Sequence, residues 1–302
     1  MRARYSVLVT ATGGTRVQVA EALQPAVATV SGPRSRVSVG SARSLLLTVL
    51  GEFVMPSGQA VWTSTLLHAL LGVGTAENAA RQAIARSAAA GWLEGRKDGR
   101  QVRWRLTTNG RRMIESGSRR VTALSAPRPA WDGRWRVLVI TVPNSQRDSR
   151  RKLYRGLSWA GFGNPTPGTW VTPNAEAVTP AAEVVEDLGL SSWCLSFEGS
   201  GLGIGLTDQD IVDQAWDLDA IAQHYAESLS RFADVPPAGG DEALFTQIAL
   251  VNELQRFPFM DPRLPFELLP ANWPGRTAPA RFQEIRAEWH DAAHARWHEL
   301  TS

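Results

Sequence analysis

Apolar residues recur at helical spacing from Ser41 to Phe53, where Leu45, Leu46, Val49, Leu50 and Phe53 share one face of SARSLLLTVLGEF. Trp62 to Leu71 repeats the pattern, with Leu66, Leu67 and Leu70 turned inward. The tight turn Val73-Gly74-Thr75 then leads into a third helix, for which Thr75 is the expected N-cap and Gly91 the left-handed stop. Glu77 lies in its first turn, where the helix dipole favours an anion. Its inner face is small (Ala80, Ala83, Ile84, Ser87); its outer face, Asn78, Arg81, Gln82, Ala85 and Arg86, holds no acid. After Gly91 the period changes from 3.6 to 2. A strand starts at Trp92, Lys97-Asp98-Gly99-Arg100 carries the Asp-Gly hairpin signal, and Gln101 to Leu106 returns. On the return Val102, Trp104 and Leu106 alternate with Gln101, Arg103 and Arg105, so one face packs and the other is basic. Helix, helix, turn, helix and two-stranded wing is the plan of a winged helix-turn-helix.

Thr107 is placed to cap a further helix that runs to a linker, Ser125-Ala-Pro-Arg-Pro129. Beyond it, strands are expected at 135–142, 169–172 and 193–197, with helices at 149–161 and 181–188 between them. This β-α-β-α-β order predicts a small α+β unit of ferredoxin-like type. The remainder reads as helical, with amphipathic stretches at 217–232 and 244–256, proline-rich punctuation at 256–275 and a last helix from Ala280. The fold class is therefore α+β in four stretches. They are a loosely ordered arm (1–39), a winged helix-turn-helix (40–125), a ferredoxin-like unit (130–208) and a mainly helical C-terminal unit (209–302). The arm carries Gly, Pro and Ser breaks, and is equally an over-extended start with initiation at Val37 or Val39.

Charge sharpens this picture. The formal net charge is only +3, yet residues 39–125 carry +7 and residues 173–238 carry −11, counting Lys+Arg against Asp+Glu. Positive charge placed on one module is the footprint of phosphate binding. The acidic half is expected to face away from DNA or to meet the basic half across an interface. On the third helix Asn78, Arg81, Gln82 and Arg86 have the chemistry that reads base edges in a major groove, and Lys97, Arg100 and Arg103 of the hairpin suit phosphates. Double-stranded DNA is the expected partner. A single cysteine, Cys194, excludes an intramolecular disulfide framework and a multi-thiolate metal site, and fits a reducing cytoplasm. No apolar run approaches the ~20 residues of a membrane span.

Other motifs have duller readings. Glu198 to Leu206 has the glycine density of a phosphate loop, but it lacks a following Lys and lies among acids, so it reads as a flexible connection. His290, His294 and His298 fall on one helical face, as zinc ligands do, but Trp289 and Trp297 flank them and a surface amphipathic helix explains them equally. Cys194 reads as a small core residue. No Ser or Cys has an evident His/Asp partner, and the first middle strand ends in Val142-Pro143 where small nucleases of related fold carry an acid. No catalytic residue, metal or cofactor is expected, and the chain does not read as an enzyme.

Several segments resemble the PaaX family of bacterial repressors of phenylacetic-acid catabolism. They are SARSLLLTVLGEFV (41–54), Arg81-x4-Arg86-x4-Gly91-Trp92-Leu93, and Gly99-Arg100 with Leu106-Thr107 and Gly110. WDGRWRV (131–137), RRKLYRGLSWAGFG (150–163) and DPRLPFELLPANWPG (261–275) extend the likeness to about 40–302. Ser87 departs from the larger apolar residue usual in the family beneath its recognition helix. The resemblance implies a homodimeric repressor that leaves its operator when an aryl-CoA thioester, typically phenylacetyl-CoA, binds. The cations outside the winged helix that suit such an effector's phosphates are Arg147, Arg150, Arg151, Lys152 and Arg155. The alternatives are an enzyme acting on a CoA thioester or a nucleic acid, and a regulator controlled by a protein partner.

Overall fold

A computed structural model describes residues 40–142, 146–233 and 239–302, so the expectations for the arm 1–39 lie outside the described residues. Helix α1 (Ala42–Val49) is capped by the Ser41 hydroxyl, which accepts from the Ser44 N–H at 3.2 Å. It runs on through a π-helical turn, Leu50–Val54, into α2 (Met55–Ser57) and stops at Gly58, whose φ of 66° needs no Cβ. A two-residue strand β1 (Val61–Trp62) precedes α3 (Thr63–Gly72), and α4 (Glu77–Ala89) follows. The hairpin is β2 (Leu93–Asp98) and β3 (Gln101–Leu106), in sheet order β1-β3-β2. Helix α5 (Thr108–Leu124) leaves it, capped by Thr107 as expected.

Two details differ from the predicted elements. The N-cap of α4 is Ala76, with no side-chain bond, because Thr75 donates its N–H back to the Leu70 carbonyl at 3.0 Å and so finishes the turn after α3. Trp62 belongs to a strand and not to α3. It pairs with Arg103 on the free edge of β3, and Thr63 locks the junction by donating to the Val102 carbonyl (3.1 Å) while accepting from Trp104 Nε1 (2.9 Å).

The middle sheet contains β4 (Trp135–Ile140), β5 (Gly163–Thr166), β6 (Thr169–Thr172) and β7 (Cys194–Gly199), all antiparallel in the order β5-β6-β4-β7. Helices α6 (Arg147–Trp159) and α7 (Val178–Asp187) connect them. Strand β5 is an addition to the prediction. Pro165 reads as a breaker, yet an edge strand tolerates proline, and Asn164 staples the hairpin by donating to the Thr166 and Thr169 carbonyls. One face of the sheet packs on α6 and α7 through Ile140, Trp170, Leu153, Leu157 and Val185. Trp135, Val137 and Val171 meet the C-terminal helices instead. The predicted strand around Cys194 is less buried than its apolar run suggests. Leu195 and Phe197 are 62% and 53% exposed at the sheet edge, and Cys194 is half-buried, its thiol pushed up by burial.

The C-terminal stretch forms α8 (Asp208–Ala215), α9 (Leu218–Ala233), α10 (Gly240–Leu254), the short α11 (Phe257–Met260) and α12 (Ala278–Thr301). Helices α10 and α12 pack on the first helices of the chain, where Leu244, Ile248, Ala293 and Trp297 complete a core begun by Leu46, Leu50 and Phe53. Phe245 lies where a Cβ on Gly72 would stand. The buried Glu52 carboxylate accepts from Arg286 (2.6 Å) and Gln247 (2.8 Å). The basic and acidic halves do meet, but through an apolar core whose buried acid comes from the basic half.

A second buried acid makes the fold acid-sensitive. Burial pushes the Glu253 carboxyl up, but His224 (Nε2 at 2.9 Å), the Ser228 hydroxyl (2.9 Å) and Arg256 (3.2 Å) outweigh it and hold it at about 2, below its usual 4.5. A depressed carboxyl contributes stability that is complete above its unfolded value near 4.5 and lost as pH falls through about 2. The expected contribution is about 3 kcal/mol. Urea midpoints of Glu253→Gln should accordingly converge on those of wild type between roughly pH 4 and pH 2. Parallel pH profiles for the two proteins would remove Glu253 as the cause.

Candidate nucleic-acid interface

Alanine-rich α4 lets its inner face lie flush on α1 and α3. Ala80, Ala83, Ile84 and Ser87 are all buried, whereas Asn78, Arg81, Gln82, Ala85 and Arg86 are all exposed. Ser87 is fully buried and its hydroxyl has no partner, so the small residue keeps close helix packing at the cost of an unsatisfied donor. Gly91, at φ 71°, ends the helix and turns the chain into the hairpin. Gly95 is required there, since a Cβ would stand 2.7 Å from the Trp104 ring that lies across β2.

The outer face is held in a loaded but loose state. Arg81 pairs with Glu77 one turn back (2.7 Å), and Arg86 donates to Gln82 Oε1 (3.2 Å), with both pairs exposed. Exposed pairs of this kind contribute about 0.3–0.5 kcal/mol, so a phosphate or base can displace them at small cost. Arg81 lines one groove of about 440 Å³ together with Arg100 and Gln101 of the hairpin. The structure thus brings helix and wing cations to one concave strip. Lys97 is exposed at the hairpin tip. Arg103 is partly committed elsewhere, its guanidinium 3.9 Å over the Trp62 ring.

Three further arginines belong to this surface and have weaker sequence signals. Arg96 and Arg105 share the exposed face of the hairpin with Arg103, since residues 94, 96, 101, 103 and 105 project to one side. The β2 alternation could have found Arg96. Arg43 on α1 lies 4.1 Å over the Trp92 ring, and burial, then the charge of Arg86, push its guanidinium below the usual range. Nothing in the local pattern of α1 marks Arg43 as a neighbour of α4.

The other predicted cations lie on α6. Arg147, Arg150, Arg151 and Lys152 are exposed and Arg155 is half-buried. Arg150 donates to the Val142 carbonyl (2.9 Å), Arg151 pairs with Asp148 (3.1 Å), and Arg155 donates to the Arg151 carbonyl (3.3 Å). On α12 the His290 and His294 rings stack with centroids 4.0 Å apart, and His294 packs 4.8 Å from Phe53. Burial, then the His290 charge, lower the His294 imidazole. Among the described residues no three His, Cys, Asp or Glu side chains cluster to hold a metal ion, and no helix is long and apolar enough to cross a membrane.

Family models match nearly the whole described chain. Residues 41–110 match the PaaX-like protein model, residues 128–211 the PaaX protein central Cas2-like domain, and residues 216–299 the PaaX-like protein C-terminal domain. Transcriptional repressor PaaX of Escherichia coli (strain K12) is 26% identical over 249 residues, which is 79% of this chain and 77% of that protein. Among solved structures, the uncharacterized protein Rv0674 from Mycobacterium tuberculosis aligns over 87% of this chain and 99% of its own, with a TM-score of 0.54 at 23% identity. That likeness concerns the fold alone.

Proposed function

The chain belongs to the PaaX family and is a transcriptional regulator, not an enzyme; we propose that it is a dimeric repressor that docks α4 in the major groove of its operator. Residues 40–125 act in this reading as a winged helix-turn-helix, with α3 and α4 as its helical pair and β2–β3 as its wing. The observation that carries it is the acid-poor outer face of α4 set beside a basic hairpin across one groove. Asn78, Arg81, Gln82 and Arg86 read bases, and Lys97, Arg100 and Arg103 hold phosphates.

Residues 130–208 serve as a ferredoxin-like unit that pairs protomers, and residues 209–302 brace the DNA-binding unit. The βαββαβ chain order and strand order support the first assignment. The free edge of β7, with Leu195 and Phe197 exposed on it, supports pairing there. The repressed genes are those of aromatic, phenylacetate-type catabolism, and an aryl-CoA thioester such as phenylacetyl-CoA releases the protein from DNA.

Gel-shift titrations on operator and on random DNA test the interface. Arg81→Ala and Gln82→Ala should each cost about 1–3 kcal/mol on operator and much less on random DNA. Lys97→Ala and Arg100→Ala should weaken both DNAs alike. Equal losses on both DNAs for Arg81→Ala and Gln82→Ala would make them phosphate contacts and end the base-reading assignment.

A further inference from the structure

A cleft of about 1400 Å³ opens between the C-terminal turns of α5, the last turns of α6 with the loop behind it, and the 258–263 segment. Its wall is aromatic. The Arg120 guanidinium lies 3.7 Å over the Trp159 ring, and Trp159 in turn lies 4.5 Å from Phe259. Tyr154 stands edge-on to Trp170 at 4.7 Å. Tyr154 and Phe259 keep 39% and 37% of their surface exposed within this concavity, so apolar ring area is left for a ligand to cover.

Two cations face the same cleft, Arg120 and Arg263, the second in the field of Asp261 and Glu176, which also line it. Among the described residues neither Arg120 nor Arg263 has a carboxylate at ion-pair distance, although seven other arginine–acid pairs close to 2.8 Å or less. Arg263 is held in place at a cost. Its φ is +53°, rare outside glycine, and its Nε is buried with no partner. Its backbone N–H is fixed by Asp261 (2.7 Å) and its carbonyl by Asn174 (3.3 Å), while its Nη2 donates to the Ala126 carbonyl (3.4 Å), which leaves Nε as the unsatisfied part of the guanidinium. Burial holds both guanidinium groups below the usual range. The lining also holds Asp213, Asp217 and Asp219 at the α8–α9 end and Glu176 and Asp261 in the field of Arg263, so an anion is favoured on the Arg120 side, where α5 meets α6.

The basic stretch of α6 continues from this end. Tyr154 and Ser158 line the cleft, and Arg151 and Arg147 precede Tyr154 by three and seven residues, on the same helical stripe. Arg147 therefore lies about 10 Å along the helix from the cleft wall. An apolar slot, Arg120 with no acid at ion-pair distance, a buried Arg263 Nε with no partner and a basic stripe leading away from them match a ligand with a flat aromatic acyl group and a long polyanionic tail.

We propose that this cleft binds the effector, with the aromatic acyl group between Tyr154, Trp159 and Phe259, its oxygen facing Arg120 or Arg263, and the phosphorylated tail along Arg151 and Arg147. The assignment rests on the reading of the chain as an aryl-CoA-responsive repressor and gives that response a site. It also gives it a route to DNA. Helix α5 carries Arg120 and Leu124 at the cleft and is clamped to the wing at its other end, about 25 Å away. There the Thr107 hydroxyl donates to the Gly91 carbonyl (2.6 Å), and Gly110 packs so closely on the Trp92 carbonyl that no Cβ fits. A ligand that shifts Arg120 thereby tilts the helix that carries the hairpin.

Titration calorimetry with phenylacetyl-CoA, CoA and phenylacetate on the full chain tests this. Arg120→Ala and Tyr154→Ala, both at partly exposed positions, should weaken phenylacetyl-CoA about tenfold or more with unchanged melting temperature. Arg147→Ala/Arg151→Ala should weaken phenylacetyl-CoA and leave phenylacetate unchanged. Glu183→Ala, exposed on α7 and outside the cleft lining, serves as the control that behaves like wild type with all three. On operator DNA, Arg120→Ala should stay bound at phenylacetyl-CoA concentrations that release wild type. Wild-type affinity in both cleft variants would overturn the site while leaving the aryl-CoA response intact. Absence of binding of any of the three compounds to wild type would overturn both.

Discussion

Operator affinity should fall about 10²- to 10⁵-fold when monovalent salt rises from roughly 50 to 200 mM, a log–log slope of about −4 to −8 per dimer. Arg81, Arg86, Lys97, Arg100 and Arg103 are exposed, and each phosphate they neutralise releases condensed counterions from the duplex. Their local partners do little to weaken this. Glu77 holds Arg81 by a 2.7 Å pair, but both side chains are more than half exposed. Arg103 stays exposed while stacked on Trp62. Arg43, Arg96 and Arg105 add to the same field, so the slope should stand at the steeper end if the hairpin face also meets the backbone. Fluorescence anisotropy over a salt series measures it. A slope near zero would remove DNA binding as the main activity, whereas a slope near −2 would confine contact to a single wing.

How much of this surface was legible depends on how far its causes reach along the chain. The two faces of α4 follow from a 3.6 period in thirteen residues, and the hairpin from Asp98-Gly99, so both were readable locally. Strand β5 was not, because Pro165 signals a break and only the pairing with β6 makes it an edge strand. Trp62 reads as helical until β3 offers its free edge. Contacts across long separations left no trace at all. The Ser44 hydroxyl donates to Asn252, 208 positions away, and Glu52 meets Arg286, 234 positions away. The cleft is of that kind, since α5, α6 and the 258–263 segment each look like ordinary amphipathic or proline-rich stretches alone. The predicted cations of α6 were visible as charge, but the apolar slot beside them required the fold.

Asp261→Ala should be the most damaging single change in the chain, at about 3–5 kcal/mol. Asp261 opens the proline-rich 261–275 stretch and is buried. Its Oδ2 accepts from Arg128 Nη2 (2.8 Å) and from the Tyr225 hydroxyl (3.0 Å), and its Oδ1 from the Arg263 N–H (2.7 Å). Arg128 is as buried as its partner, with side chains 2% and 1% exposed, and donates its other nitrogen to the Leu264 carbonyl at 2.8 Å. Burial, then the Asp261 charge, push the Tyr225 hydroxyl well up, so it remains a donor at any working pH. Removing the carboxylate leaves a buried guanidinium without its counter-charge, which costs far more than losing an exposed pair such as Glu77–Arg81. Against a total stability of about 5–15 kcal/mol, the loss threatens folding itself. Asp261→Asn should lose less, since the amide oxygen still accepts one bond. Replacing both partners, as in Arg128→Met/Asp261→Leu, should recover much of the loss, because two apolar side chains need no mutual charge. Urea midpoints of the four proteins decide the matter. If Asp261→Ala unfolds within about 1 kcal/mol of wild type, the pair is not what pins the 125–129 linker to the C-terminal helices.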